Sequence, residues 1–66
     1  MTLWINGEHR SGICAANVAA LVVELGLPGP AVLVEHNGVA LRRGEWEACL
    51  LQEGDRLEII RIVAGG

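Results

Sequence analysis

The residues best placed to do chemistry lie at the end of this 66-residue sequence, which reads RIVAGG and stops at Gly65 and Gly66. Glycine has no Cβ, so such a pair passes through channels too narrow for side chains and adopts backbone angles that other residues avoid. The reactive group that the tail would deliver is the α-carboxylate of Gly66. A carboxylate must be activated before it becomes an acyl donor, most simply by attack on the α-phosphate of ATP. The ending therefore predicts an acyl group that is adenylated and then passed to an amine or to sulfur.

No site for an autonomous reaction accompanies this tail in the sequence. Neither a GxxxxGK phosphate loop nor a GxGxxG motif is present, so another protein would have to bind the nucleotide. His9 and His36 each follow a glutamate in a strand-like segment, which is typical of solvated surface histidines. No nucleophile forms a recognisable constellation with either histidine. We therefore expect that the chain is not an enzyme and binds neither a cofactor nor a metal.

The two cysteines and the absence of lysine narrow the chemistry further. Cys14 and Cys49 lie outside any CxxC motif and away from histidine at metal-ligand spacing. We expect free thiols that pack as small hydrophobic groups, with a sulfur-relay role as the alternative. Without lysine, the chain cannot build isopeptide-linked chains on itself.

Charge and hydropathy exclude two classes of partner. The net charge is −3 and the pI is about 5.1, with no basic cluster beyond Arg42-Arg43, which argues against nucleic acid. No apolar run approaches the roughly 18 residues of a membrane span. The first residues also lack the pattern of a signal peptide, so we expect a cytoplasmic protein that does not enter a membrane.

Strand, turn and helix signals alternate ahead of the tail. MTLWI is followed by Asn6-Gly7, a strong hairpin signal because both positions tolerate positive φ, and residues 8–14 would return as a second strand. Asn17 then precedes a segment with apolar residues at i, i+3, i+4 and i+7, which predicts a helix over about 17–26. The apolar positions of this helix are Val18, Leu21, Val22 and Leu25.

The second half of the chain predicts three more strands and a short helical turn. AVLVEH is apolar enough to be buried on both faces, and Asn37-Gly38 would turn it into a short fourth strand. A helical turn is predicted near 45–50, ahead of the last strand, RLEIIRIV. The order β-β-α-β-β-β indicates an α+β fold in which one helix covers a mixed four- to five-stranded sheet. We expect residues 1–63 to form a single domain and residues 64–66 a flexible C-terminal tail.

The last strand predicts a surface beside the tail. Because side chains alternate between the faces of a strand, Leu57 and Ile59 would meet the helix. Glu58, Ile60 and Ile62 would then lie on the opposite face, which a two-layer fold leaves uncovered. We interpret these three residues as a partner-docking surface.

Several of these features together resemble the ubiquitin-like sulfur carrier family, most closely its thiamine-biosynthesis carriers. They are the element order, the Asn-Gly turn after the first strand, VAALVVELGL, and the ending GDRLEIIRIVAGG. That family carries an Arg-x-x-x-Trp element before a Gly-Asp turn, and here Arg42, Trp46, Gly54 and Asp55 match it. The resemblance covers essentially the whole chain. One departure is Asn17, where the family often has threonine.

The resemblance implies a β-grasp fold and a role as a protein co-substrate. Gly66 would be adenylated by an E1-like enzyme that uses ATP and magnesium, and would then become a thiocarboxylate with sulfur from a persulfide-bearing protein. Thiazole synthase would take that sulfur for the thiazole of thiamine. Ala64 and Gly65 would thread the partners' active sites, and the free protein would be a monomer. The alternatives are sulfur transfer to molybdopterin or another acceptor, a ubiquitin-like protein modifier, and a docking module.

Overall fold

The computed structural model of the protein describes residues 1–63, which form one mixed sheet covered by a single α-helix. The strands are β1 (Leu3–Ile5), β2 (Glu8–Arg10), β3 (Val32–His36), β4 (Val39–Leu41) and β5 (Arg56–Arg61), and the helix is α1 (Val18–Glu24). Two short 3-10 turns, Gly29–Ala31 and Arg43–Glu45, complete the elements. None of the helices within residues 1–63 is both long and apolar enough to cross a membrane.

The sheet places the last strand in its centre. The strand order is β2-β1-β5-β3-β4, so β5 lies between the first strand and the third. It runs parallel to β1 and antiparallel to β3, and the two outer pairs, β1–β2 and β3–β4, are antiparallel hairpins. This is the mixed sheet expected for a β-grasp fold, with five strands, which confirms the upper of the two predicted strand numbers.

The two hairpins turn at the predicted Asn-Gly pairs. Asn6 and Asn37 have φ values of 51° and 49°, in the left-handed region that asparagine tolerates better than most residues. The glycines that follow them also have positive φ, which gives the turn geometry that matches strand twist. The second strand is shorter than the predicted 8–14: it ends at Arg10, and Gly12 then takes a φ of 75° that breaks the extended conformation.

The helix begins and ends close to the predicted residues. The Asn17 side chain accepts a hydrogen bond of 2.8 Å from the Ala20 N–H, which satisfies one of the free donors of the first turn. At the other end, Gly26 has a φ of 70° and its N–H donates to the Val23 carbonyl. The regular helix spans Val18–Glu24, so the predicted range of 17–26 includes its caps.

The core between helix and sheet is aliphatic apart from Trp46, which packs under the turn that follows Arg43–Glu45. The 3-10 turn spans Arg43–Glu45, and the Cys49 N–H donates to the Glu45 carbonyl at 3.1 Å, so helical hydrogen bonding continues into the predicted 45–50 segment. The expectation that β3 is buried on both faces is wrong. Its burial alternates, and Leu33 is 55% exposed, because no layer formed by residues 1–63 covers that side of the sheet.

Candidate functional site: the end of the central strand

The end of β5 is the base from which residues 64–66 continue. Past the strand, the Ile62 N–H donates to the Ala31 carbonyl at 2.6 Å. The next residue, Val63, is 83% exposed. The predicted tail residues Ala64, Gly65 and Gly66 lie outside the described residues. The structure therefore shows what supports the tail: a central strand that is held on the β1 side as far as Ile59 and on the β3 side as far as Ile62.

Asn6 holds the end of β5 on the side of β1. Its backbone N–H donates to the Leu57 carbonyl at 2.9 Å, which ends the main-chain ladder between the two strands. Its side chain continues the pairing: the Ile59 N–H donates to Oδ1 at 2.7 Å, and Nδ2 donates to the Ile59 carbonyl at 3.0 Å. One side chain thus satisfies both backbone groups of a residue that is 53 positions away in sequence. The sequence showed Asn6 as a turn residue and carried no signal for this second role.

Asn37, in the other turn, holds the start of β5. Its Oδ1 accepts from the Arg56 N–H at 2.9 Å, and its backbone N–H donates to the Arg56 carbonyl at 2.8 Å. Beside it, His36 Nε2 lies 2.7 Å from Asp55 Oδ2, and the Gln52 N–H donates to the same carboxylate oxygen at 2.9 Å. His36 is therefore half-buried and paired, which corrects the prediction that it is a solvated surface residue.

The environment of Asp55 favours its charged form. Partial burial alone raises the pKa of Asp55, but hydrogen bonds from His36, the Gln52 N–H and Asn37 outweigh it, so the pKa lies below the ordinary value of 3.8. These groups join the turn before β5 to the hairpin turn between β3 and β4. The Gly-Asp element that the sequence shares with its family is thus a structural clamp on the start of the central strand.

The two faces of β5 differ as predicted. Leu57 and Ile59 are buried against the helix, whereas Glu58, Ile60 and Ile62 are exposed. The register also places Leu33 directly opposite Ile60, and each of these two side chains is 55% exposed. We call Leu33, Ile60 and Ile62 the open-face patch. Leu33 was missing from the predicted docking surface because strand pairing, which sequence alone does not reveal, makes it a neighbour of Ile60.

Charged and aromatic side chains surround the patch. Glu58 lies opposite Glu35 in the register, and two carboxylates at directly opposed positions repel each other. Farther along the sheet, the Trp4 ring contacts two side chains. Its centroid lies 4.6 Å from that of the His9 ring and 5.7 Å from the guanidinium carbon of Arg56. On the face opposite the helix, neighbouring side chains therefore partly cover the aromatic ring at one end, whereas the end next to the tail is apolar and acidic.

The cysteines stand apart from this site. Cys14 is exposed, which corrects the expectation that it packs as a small hydrophobic group, and Cys49 is half-buried against the core. Burial raises the pKa of the Cys49 thiol, and the carboxylates of Asp55 and Glu45 raise it further, so this cysteine is a weak nucleophile. Within residues 1–63 there is also no group of three side chains suited to hold a metal ion.

Comparison with known proteins assigns this arrangement to a family. Residues 3–66 match the model of the ThiS family. Two curated relatives, both named thiazole synthase, match the whole chain: 36% identity in Paramagnetospirillum magneticum and 32% in Magnetococcus marinus. The chain spans 20% of the length of each of these two relatives.

A solved structure is similar over its entire length. The crystal structure of the thiamine biosynthesis protein ThiS from Geobacter metallireducens aligns with a TM-score of 0.85 and 32% identity, and the match covers 100% of both chains. Together with the sheet order and the family match, this confirms the predicted β-grasp fold. The chain belongs to the ThiS family, the ubiquitin-like sulfur carriers of thiamine biosynthesis.

Proposed function

We propose that this chain carries sulfur as a thiocarboxylate on Gly66 and donates it to thiazole synthase for the thiazole ring of thiamine. The observation that carries the proposal is the match of residues 3–66 to the ThiS family, because it extends to the last glycine. The proposal requires the carboxylate of Gly66 to be the terminal one in the mature protein. The chain then acts as a co-substrate of other enzymes in the cytoplasm.

The chemistry divides into three steps performed by partners. In the first, an oxygen of the Gly66 carboxylate attacks the α-phosphate of ATP at an E1-like enzyme, and magnesium pyrophosphate leaves. In the second, the terminal sulfur of a persulfide-bearing donor displaces AMP from the acyl carbon to give an acyl disulfide. In the third, a thiol attacks the donor's sulfur in the acyl disulfide and forms a disulfide with it, so that the sulfur–sulfur bond breaks and the thiocarboxylate leaves. This chain supplies the acyl carbon and its support.

The geometry of β5 supports this division of labour. Pairing on both sides, extended by the Asn6 side chain to Ile59 and by the Ile62 N–H to Ala31, fixes the base of the tail. A fixed base lowers the conformational entropy that is lost when a partner binds the tail, because fewer residues are ordered at that moment. The arrangement therefore suits a short acyl group that must enter enclosed active sites.

Thiazole synthase is proposed as the acceptor because of the curated relatives. Both proteins carry that name, and each contains a segment similar to this whole chain within a polypeptide about five times as long. A carrier domain joined to its acceptor would raise the effective concentration of one for the other. We infer that here the two act as separate partners or domains that meet at the tail.

Intact-mass measurement tests the carrier proposal. The chain is incubated with the E1-like enzyme, magnesium ATP, a persulfide sulfur donor and a thiol reductant, and we expect a mass increase equal to the exchange of one oxygen for sulfur. A variant that lacks Gly66 is the control and should keep its mass. An unchanged mass of the full chain, with an enzyme shown to be active on another carrier, would contradict the proposal.

The open-face patch, with Glu58, is proposed to dock the activating enzyme. Ile60→Asp should weaken binding by about tenfold or more, since a carboxylate in an apolar contact is desolvated without a partner. Val39→Asp is the matched control: Val39 is also an exposed β-branched strand residue, 61% exposed, but the register places it opposite His36, away from the patch. Equal affinities of the two variants for the enzyme, measured by calorimetry, would refute the role of the patch.

A further inference from the structure

A second surface beside the tail lies on the helix side of the sheet. A groove of about 410 Å³ runs between the end of α1 and the sheet. Apolar residues that include Ile5, Leu25 and Ile59 form its floor, and Arg10 and Arg61 also line it. We call it the two-arginine groove. It is distinct from the open-face patch, which lies on the other face of β5.

Strand register explains why two arginines from distant strands share this side. Arg10 lies opposite Leu3 in the β1–β2 pair, and Arg61 lies opposite Val32 in the β3–β5 pair. Directly opposed residues of an antiparallel pair project from the same face. Since Leu3 and Val32 are buried under the helix, both arginines must emerge on the helix side, at its uncovered margin.

The charges of these two arginines are available to a partner. Within residues 1–63, no carboxylate forms a salt bridge with Arg10 or Arg61. The carboxylate that lines the groove, Glu24, accepts hydrogen bonds from the backbone N–H groups of Cys14 and Ala15, at 3.1 and 2.8 Å. Two other arginines, Arg43 and Arg56, lie against the rings of Trp46 and Trp4. The groove thus carries two cations that no carboxylate of residues 1–63 pairs with, in a protein whose net charge is −3.

The position of Arg61 links this groove to the tail. An extended chain spans about 3.3–3.6 Å per residue, so three residues after Val63 reach about 10 Å. An active site that receives Gly66 must therefore lie close to the end of β5, where residues on either face of that strand are within its reach. Arg61 is the last residue of β5 and lies on one of those faces.

We infer that the two-arginine groove binds an acidic segment of the enzyme that activates the tail: a carboxylate side chain at the guanidinium groups, with an apolar neighbour on the groove floor. This inference rests on the proposed function, because it assumes that such an enzyme takes the tail. Arginine suits the role since its planar group binds carboxylates through two parallel hydrogen bonds. The enzyme then contacts both faces of β5, and the open-face patch contributes apolar area while the groove contributes charge and orientation.

The test is ATP–pyrophosphate exchange by the purified E1-like enzyme, with the concentration of this chain varied. The variants are Arg10→Gln/Arg61→Gln, the charge-retaining Arg10→Lys/Arg61→Lys, and the control Arg42→Gln, an exposed arginine after β4 at the far edge of the sheet. We expect the glutamine pair to raise KM about tenfold at low salt, the lysine pair about threefold or less, and the control to stay within about twofold of wild type. The difference should shrink toward 1 M salt, where the Debye length is about 3 Å.

Each outcome decides one of the two proposals. If wild type supports exchange and the glutamine pair has the same KM, the inference is wrong while the proposed function stands. If the lysine pair loses as much as the glutamine pair, charge does not determine binding and the inference is also wrong. If wild type supports no exchange with an enzyme active on another carrier, the proposed function fails and the inference fails with it. Circular dichroism of each variant checks the fold, which exposed substitutions should preserve.

Discussion

Replacement of Asn6 by glycine tests how the base of the tail is held. The side chain of Asn6 makes two hydrogen bonds to the backbone of Ile59, at 2.7 and 3.0 Å, in a part-buried position. Glycine tolerates the φ of 51° that asparagine adopts here, so the substitution removes the bonds without breaking the turn. The perturbation is therefore confined to the two backbone groups of Ile59, the residue where main-chain pairing with β1 has ended.

The expected cost follows from these two bonds. Each is worth about 1 kcal/mol of net stability, so their loss amounts to about 2 kcal/mol. Relief of left-handed strain and the greater freedom of glycine in the unfolded chain act in opposite directions, each by about 0.5–1 kcal/mol, and roughly cancel. For a domain of this size, about 2 kcal/mol corresponds to a decrease in Tm of about 10 °C.

Urea denaturation measures the free energy of unfolding, and amide hydrogen exchange at Ile59 measures the local effect. Asn6→Asp is the matched variant: it keeps the acceptor for the Ile59 N–H but loses the donor to the Ile59 carbonyl, so we expect an intermediate loss of about 1 kcal/mol. A loss below about 0.5 kcal/mol for Asn6→Gly, with unchanged exchange at Ile59, would refute the view that this side chain holds the end of β5.

Two further predictions concern titratable side chains. Because the pKa of Asp55 is lower in the folded protein than its ordinary value of 3.8, protonation favours unfolding: the stabilisation is complete above that value and is lost as the pH falls through the lowered pKa. Urea titrations from pH 6 to 2 should show this loss in wild type and a smaller one in Asp55→Asn; parallel curves would contradict it. Iodoacetamide should alkylate Cys14 before Cys49, because Cys14 is exposed whereas Cys49 is half-buried with a raised thiol pKa. Mass mapping that found equal rates would contradict this order.

Much of the fold was predictable because its signals are local. The helix has its apolar period and the Asn17 cap within one short segment, and the hairpins turn at Asn-Gly pairs whose φ values only a few residue types tolerate. Local signals were weaker at element ends: residues 11–14 read as strand although Gly12 takes a φ of 75° and breaks it. Family resemblance then joined these elements into the β-grasp arrangement, which periodicity alone leaves open.

Some features of the candidate site were also predictable from local sequence alone. Alternation along the last strand was enough to predict that Ile60 and Ile62 are exposed while Leu57 and Ile59 are buried, since residue order alone sets which face a side chain takes. The proposal for Gly66 also came from residue type, because a glycine pair that ends in an α-carboxylate suits that chemistry. These conclusions needed no knowledge of which strands are neighbours.

Which side chains are neighbours depended on strand pairing between segments that are distant in sequence. The parallel pairing of β1 with β5 places Asn6 against Ile59, and the antiparallel pairing of β3 with β5 places Leu33 beside Ile60. Arg10 and Arg61 line one groove for the same reason. No residue type or spacing along the chain encodes these contacts, because register is selected by the burial of one whole sheet face under the helix. The residue sequence thus predicted a chemistry for the tail and specified the helix and turns that precede it, whereas packing of the sheet determined which side chains lie at the base of that tail.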